Sequence, residues 1–299
     1  MYSLIKKIAS KYSSHYLIDG GVLSFLLKPL IRIIFVRKRC LLVDQESVGF
    51  LHFKESKSRF YLRASSYIEN KIMQDGIHAR HVLNEISNNL KPNSLFIDVG
   101  ANVGSISIPI AKQTGDIGVE VVACEASCAM LKRLEANIGL NALSNIRVNE
   151  SAIFSHDRGL TFYEQTLTNN NMGLSSVKQN DDIGSFIETQ IRSKTLDGLY
   201  GELETGKEVS VVKIDVQGAE FDVLMGASAI IREQRPVFIF EHEDEYHDDC
   251  EAVKKSIRQF FDTHNYSLYA MDSNLENLLI SIDLSVYVNT NIVALPNHA

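Results

Sequence analysis

The stretch Ser94-Leu-Phe-Ile-Asp98-Val-Gly100-Ala-Asn102-Val-Gly104-Ser-Ile-Ser decides how the rest of the chain is read. Leu95 to Ile97 is an apolar run of the kind that forms a buried parallel strand. It ends in an acid, Asp98, turns through Gly100 and Gly104, and runs into Ile106 to Ala111, whose apolar spacing predicts a helix. Strand, glycine turn and helix make the first unit of a nucleotide-binding α/β sheet. Glycine suits such a turn because a side chain would hold a ligand away from the backbone. The amide N–H groups that start the helix are left to face that ligand.

The spacing selects the ligand. A dinucleotide fold calls for G-x-G-x-x-G, but Asn102 and Ser105 occupy the second and third glycine positions, so a dehydrogenase is disfavoured. The pattern present is D-x-G-x-N-x-G. An acid at the strand end repels a pyrophosphate and suits a ligand with a cationic amino-acid end, as S-adenosylmethionine has. A tight strand-to-helix turn without a ligand is the plainer alternative.

Downstream, Val119-Glu-Val-Val-Ala-Cys-Glu125 reads as a second strand whose terminal carboxylate can accept both hydroxyls of a ribose. Ser127 to Gly139 reads as a helix. Asn145 to Ile153 reads as a third strand and its exit, with Ser151 and Ala152 where an adenine would rest. Thr161-Phe-Tyr163 adds an edge strand, and Thr168 to Ser176 is a polar loop, either a lid or free. Glu208 to Glu220 holds a fourth strand ending at Asp215, then a Gln217-Gly218 turn. Pro236 to Glu243 holds a fifth, ending at Glu241-His242. Tyr266 to Met271 and Val286 to Leu295 read as closing strands. Carboxylates Asp98, Asp215 and Glu241 thus collect at strand C-terminal ends, where open α/β sheets bind ligands.

The N-terminal part has another character. Residues 1–40 hold Lys6, Lys7, Lys11, Lys28, Arg32, Arg37, Lys38 and Arg39 against Asp19 alone. That excess of seven leaves −14 for the rest of a chain whose total is −7. Two helical pieces are expected there, the second over Leu23 to Val36. They either pack on the domain or make a peripheral contact with an anionic membrane. Residues 40–63 alternate and predict a small antiparallel meander. Residues 66–90 read as helices. The acidic total argues against a protein built to coat nucleic acid. Cys40, Cys124, Cys128 and Cys250 form no metal-type spacing and fit a reducing cytoplasm. No secretory signal is visible.

Taken together the motifs resemble the FkbM-type S-adenosylmethionine-dependent methyltransferases. The resemblance rests on Phe96-Ile-Asp-Val-Gly-Ala-Asn-Val-Gly104, Lys213-Ile-Asp-Val-Gln-Gly-Ala-Glu220 with Val223-Leu224 and Gly226-Ala227, Thr195-Leu-Asp197, Pro236 to Glu241, and Asn291 to Pro296. It spans roughly residues 66–296. It implies an α/β class I methyltransferase (Rossmann-like) sheet of seven mostly parallel strands with helices on both faces. An N-terminal α+β extension (1–65) would precede the methyltransferase domain (66–299). It implies O-methylation of a sugar, glycan, glycolipid or secondary-metabolite hydroxyl, with S-adenosyl-L-methionine as cofactor. By motif position Asp98, Gly100, Asn102 and Gly104 would hold the methionine end and Glu125 the ribose, with Ala101, Ala126, Ser151 and Ala152 as further cofactor-binding positions. Gln217 stands where Glu is usual, Ala126 where Pro is common, and Gly76-Ile-His78-Ala79 where the pattern usually ends aromatic-Glu.

Methyl transfer from a sulfonium is an in-line displacement, and a hydroxyl acceptor benefits from a base. His242 and Asp215 are the candidates, with Glu241 beside them. Asp215 with Glu241 is also a minimal divalent-cation pair. A nucleoside-binding module without chemistry, and a methyltransferase for a nitrogen acceptor, are the alternatives.

Overall fold

A computed structural model describes residues 32–36, 39–43, 48–52, 57–63, 66, 68–69, 71–72, 76–165, 175–177, 186–247, 249–271, 279–284 and 290–297. Two antiparallel hairpins come first: β1 (Arg32–Val36) with β2 (Arg39–Val43), and β3 (Val48–His52) with β4 (Arg59–Arg63). The helix expected over Leu23 to Val36 is therefore a strand in its last five residues. Ile33-Ile34-Phe35-Val36 is β-branched and aromatic, a composition that favours pleated pairing. Residues 1–31, with most of the basic stretch, lie outside the described residues, as do Thr168 to Leu174 and Val286 to Asn289.

The central sheet is built from α/β units. β5 (Leu95–Val99) leads to α2 (Ser107–Thr114), which follows α1 (Arg80–Asn89). Next come β6 (Glu120–Cys124), α3 (Cys128–Asn141) and β7 (Ile146–Asn149). A side sheet carries β8 (Ala152–Ile153), β9 (Gly159–Gln165) and β10 (Phe186–Lys194), in the order β8-β10-β9. β10 has no counterpart in the sequence reading. Then follow α4 (Leu196–Leu203), β11 (Val209–Ile214), α5 (Glu220–Met225), α6 (Ser228–Glu233), β12 (Val237–His242), α7 (Cys250–Thr263), β13 (Tyr266–Met271), β14 (Leu279–Ser281) and β15 (Thr290–Pro296).

The main sheet runs β14-β13-β15-β12-β11-β5-β6-β7. β12, β11, β5, β6 and β7 are mutually parallel, and β15 lies antiparallel between β12 and β13. Setting aside β14, a short edge strand antiparallel to β13, this is the seven-stranded class I methyltransferase sheet with its last strand reversed.

Alternation along the strands sends side chains to two cores. Leu95, Ile97, Ile214, Phe238 and Phe240 pack on one face with Phe261 of α7. Phe96, Val211, Val237 and Ile239 pack on the other with Val82 and Ile86 of α1 and Ile110 of α2. Lys213 and Asp215 share the parity of Val211, Asp98 that of Phe96, and Glu241 that of Val237 and Ile239. These four polar residues thus extend the α1/α2 face beyond its apolar part.

The boundary expected at 65/66 is crossed by a third cluster. Phe60 and Leu62 of β4 pack with Ile72, Val103, Ile108 and Met130. The β4 backbone is further tied to α3: Asn141 Oδ1 accepts from the Arg59 N–H at 2.8 Å and Asn137 Oδ1 from the Tyr61 N–H at 2.7 Å.

Candidate active site

A cavity of about 520 Å³ opens at the C-terminal ends of β5, β6, β11 and β12, a size suited to a small-molecule site. Gly100, Asn102, Glu125, Ala126, Ser151 and Ala152 line one side of it. Asp215 and Glu241 line it as well.

The first rim is held by backbone hydrogen bonds. The Gly100 and Ala101 N–H groups both donate to the Cys124 carbonyl, at 3.0 and 2.9 Å. Asn102 is left-handed (φ 52°), and its Oδ1 accepts from the Val103 N–H at 2.8 Å, a local bond that makes Asn tolerable there. Its own N–H donates to Glu125 Oε2 at 2.7 Å, and the Ser127 N–H donates to Glu125 Oε1 at 2.8 Å. Burial nevertheless pushes the Glu125 carboxyl up to about 7, against those backbone donors.

Three residues expected at the ligand stand behind it. Asp98 is fully buried and does not line the cavity. It accepts from Ser107 Oγ at 2.5 Å and lies 3.4 Å from Lys213 Nζ. Ala101 is 2% exposed. Gly104 serves packing, since a Cβ there would meet Ile108 Cδ1 at 2.6 Å and Leu134 Cδ1 at 2.9 Å. Gly100 does line the cavity, yet the demand for glycine comes from the protein. Its φ is +81°, and an added Cβ would lie 1.9 Å from the Asp215 carbonyl oxygen.

The second rim is a charged cluster. Lys213 Nζ reaches Asp215 Oδ2 at 3.2 Å, Asp98 at 3.4 Å and the Gly100 carbonyl at 3.4 Å. Burial alone would neutralise the ammonium, but Asp215 and Asp98 overcome it and raise its pKa. Burial would raise Asp215 in turn, yet Lys213 and the Gln217 amide hold it below the usual carboxylate range. Gln217 is left-handed (φ 53°) and donates from Nε2 to Asp215 Oδ1 at 3.1 Å. Glu241 is pushed up to about 8, first by burial and then by Asp215 and Glu243.

His242 is not in the cavity. It follows Glu241 on β12 and so points to the opposite face, where it is 2% exposed. There it stacks on His247 with ring centroids 5.0 Å apart, and its Nε2 lies 3.2 Å from Asp244 Oδ1. The histidines that do line the cavity are His78 and His81, at the entry to α1. The sequence had marked Gly76 to Ala79 only as a departure from a pattern. Asn291 of β15 and Ser176 also reach the cavity, brought there by pairings distant in sequence, and Tyr246 reaches it from the short turn after β12. Among the described residues, no three His, Cys, Asp or Glu side chains gather to hold a metal ion. Among the described residues, no helix is long and apolar enough to cross a membrane.

The model of the methyltransferase FkbM domain matches residues 98–268, more than half of the chain. The chain belongs to the FkbM methyltransferase family. The curated relatives it matches differ widely in length. A curated protein named methyltransferase 1 from Beauveria bassiana is 28% identical over 147 residues, covering 45% of this chain and 58% of its own. The AMB antimetabolite synthetase AmbE of Pseudomonas aeruginosa is 27% identical over 213 residues, 61% of this chain and 10% of its own. The chain thus spans little more than half the length of the first relative and a tenth of the second. A crystal structure of methyltransferase FkbM from Methylobacillus flagellatus aligns with 73% of this chain and 48% of its own, at 16% identity and a TM-score of 0.42. The family match begins at Asp98, so His78 and His81 precede it.

Proposed function

We propose that this chain transfers a methyl group from S-adenosyl-L-methionine to a hydroxyl of a polyhydroxylated acceptor of the sugar or glycan class. The observation that carries the reading is the division of one cavity into two chemically distinct rims. Glu125 presents a carboxylate at the end of β6, where it can accept two ribose hydroxyls. Ala126, Ser151 and Ala152 adjoin it with small side chains that leave room for a base, and Met130, Ile153 and Phe162 supply apolar surface. Gly100 and Asn102 close the methionine end, with Asp98 and Ala101 shaping the turn from behind.

When bound, S-adenosylmethionine supplies an electrophilic methyl on a cationic sulfur. The opposite rim offers that cation the Asp215 carboxylate and offers an acceptor a dense set of polar groups: Asp215, Gln217, Glu241, Glu243, Tyr246 and Asn291. A hydroxyl-rich molecule can hydrogen-bond to such groups, whereas an apolar one would desolvate them without return. The chain's part in the reaction is alignment of the acceptor oxygen and exclusion of water.

Calorimetric titration with S-adenosylhomocysteine and, separately, NAD tests the cofactor. Heat with the first alone is the expected result, and heat with NAD alone overturns it. Release of S-adenosylhomocysteine over a panel of monosaccharides and methyl glycosides tests the acceptor class. Binding without turnover on any of them, with turnover on amines, would replace the hydroxyl by a nitrogen.

A further inference from the structure

We infer that His78 is the catalytic base, taking the proton of the acceptor hydroxyl on the Asp215 side of the cavity. The inference rests on the methyl-transfer reading above. It assigns a role to a residue that lies before the family match.

Four carboxylates, Glu125, Asp215, Glu241 and Glu243, and two histidines line the rims. Glu125, Asp215 and Glu241 are each unsuited to the task for a separate reason, and Glu243 lies past the end of β12. Glu125 is engaged by the Asn102 and Ser127 amides on the nucleoside side. Asp215 is engaged by Lys213 Nζ and Gln217 Nε2. Glu241, pushed up to about 8, still holds its proton at neutral pH. His242, which the sequence suggested, faces the other side of the sheet. His81 is the shallower of the remaining two, the second residue of α1.

His78 is held in place by its backbone. Gly76 before it has φ 77°, and Ala79 after it has φ 44°. A left-handed alanine is strained, and such strain persists only where packing over-determines it. Ala79 is packed against the cluster of Val82, Leu83 and Ile86 that seats α1 on the sheet. The ring lines the cavity from the turn that enters α1.

The charges around it favour the role. Burial lowers the imidazole to about 4, so at neutral pH one ring nitrogen is free to accept. Asp215 acts in the opposite sense and stabilises the imidazolium once it forms; Lys213, His81 and Lys71 oppose it. A weak base is adequate, because the acceptor oxygen becomes strongly acidic as its bond to carbon forms. In the step, an oxygen lone pair forms the O–CH₃ bond and the C–S pair stays on sulfur, leaving neutral S-adenosylhomocysteine. The O–H proton passes to the His78 nitrogen and from there to water.

The test uses the full chain, with His78→Gln and His78→Ala. S-adenosylhomocysteine should bind both variants and the parent equally by calorimetry. In the parent, bound S-adenosylmethionine with a ¹³C-labelled methyl should show a nuclear Overhauser contact to imidazole ring protons that is lost in His78→Gln. Turnover on the monosaccharide panel should fall about 100-fold or more in both variants, and added imidazole should partly restore it in His78→Ala. Parent that binds S-adenosylhomocysteine but shows no methyl-to-imidazole contact overturns the inference alone, as does unchanged turnover in both variants. Parent that fails to bind S-adenosylhomocysteine overturns the methyl-transfer reading and the inference with it.

Discussion

The two rims of the cavity solve opposite problems. On the β5–β6 rim a single buried carboxylate, Glu125, accepts from two backbone donors, and among the described residues no cation forms an ion pair with it. On the β11–β12 rim Asp215 and Glu241, with Asp98 of β5 behind them, crowd around one buried ammonium, Lys213. The first rim is fixed by hydrogen bonds from the Asn102 and Ser127 backbone amides. The second is fixed by charge balance, which single side chains can upset. A ligand-shaped seat thus sits beside an electrostatically tuned one.

The widest separation of the two rims should come from Lys213→Met. It strands Asp98 and Asp215 without their cation, and breaking a buried pair from one side costs about 3–5 kcal/mol. Urea unfolding would measure the loss, and adding Asp98→Asn should recover part of it. Little loss would mean that the carboxylates are held by something other than Lys213.

The glycine turn offers a second contrast. Gly100→Ala must push the Asp215 carbonyl away from a Cβ placed 1.9 Å from it, so the join between β5 and β11 should open. Gly104→Ala meets only the tips of Ile108 and Leu134, which can shift, and should cost about 1–2 kcal/mol for the left-handed backbone with some repacking besides. Equal destabilisation by the two would contradict the geometry.

Glu125→Gln should leave the fold intact and weaken S-adenosylhomocysteine by about 10- to 100-fold, since hydrogen bonds to a charged group contribute about 1.5–3 kcal/mol. Ribose hydroxyls donating to Glu125 favour its ionised form. Affinity in the parent should therefore fall as pH drops below about 7, and binding near that pH should release a proton. The variant should show neither effect in calorimetry.

The smallest effect is on stability against pH. Glu125 and Glu220 sit at about 7 and Glu241 at about 8, all above the usual carboxylate value. Acids raised on folding stabilise fully below their unfolded values and lose that contribution as pH rises through the folded ones. On account of these three groups the unliganded protein should lose stability as pH rises from about 4.5 through about 8. Glu220→Gln, removing a carboxyl whose Oε1 accepts from the Gly218 N–H at 3.0 Å, should flatten the decline.

How much could be read in advance follows the same division. The β5 strand, its turn, α2 and β6 occupy one contiguous run, so periodicity and glycine spacing suffice to place Glu125 beside Asn102. The strand ends at Asp215 and Glu241 were legible for the same reason. His242 was misread because adjacency on a strand means opposite faces, and which face meets the ligand depends on which residues the neighbouring layers cover. His78 carried no motif. β10 was hidden because its neighbours β8 and β9 lie 20 residues or more upstream.

Sequence alone determined the α/β units, the carboxylate-tipped strands and the family, because each of these is written in local spacing. Tertiary structure alone decided that Asp98 backs the cavity, that Gly100 makes way for β11, and that His78 occupies the place expected of His242. Those outcomes depend on the register and facing of elements far apart in the chain, and no local pattern encodes where two distant backbones will meet.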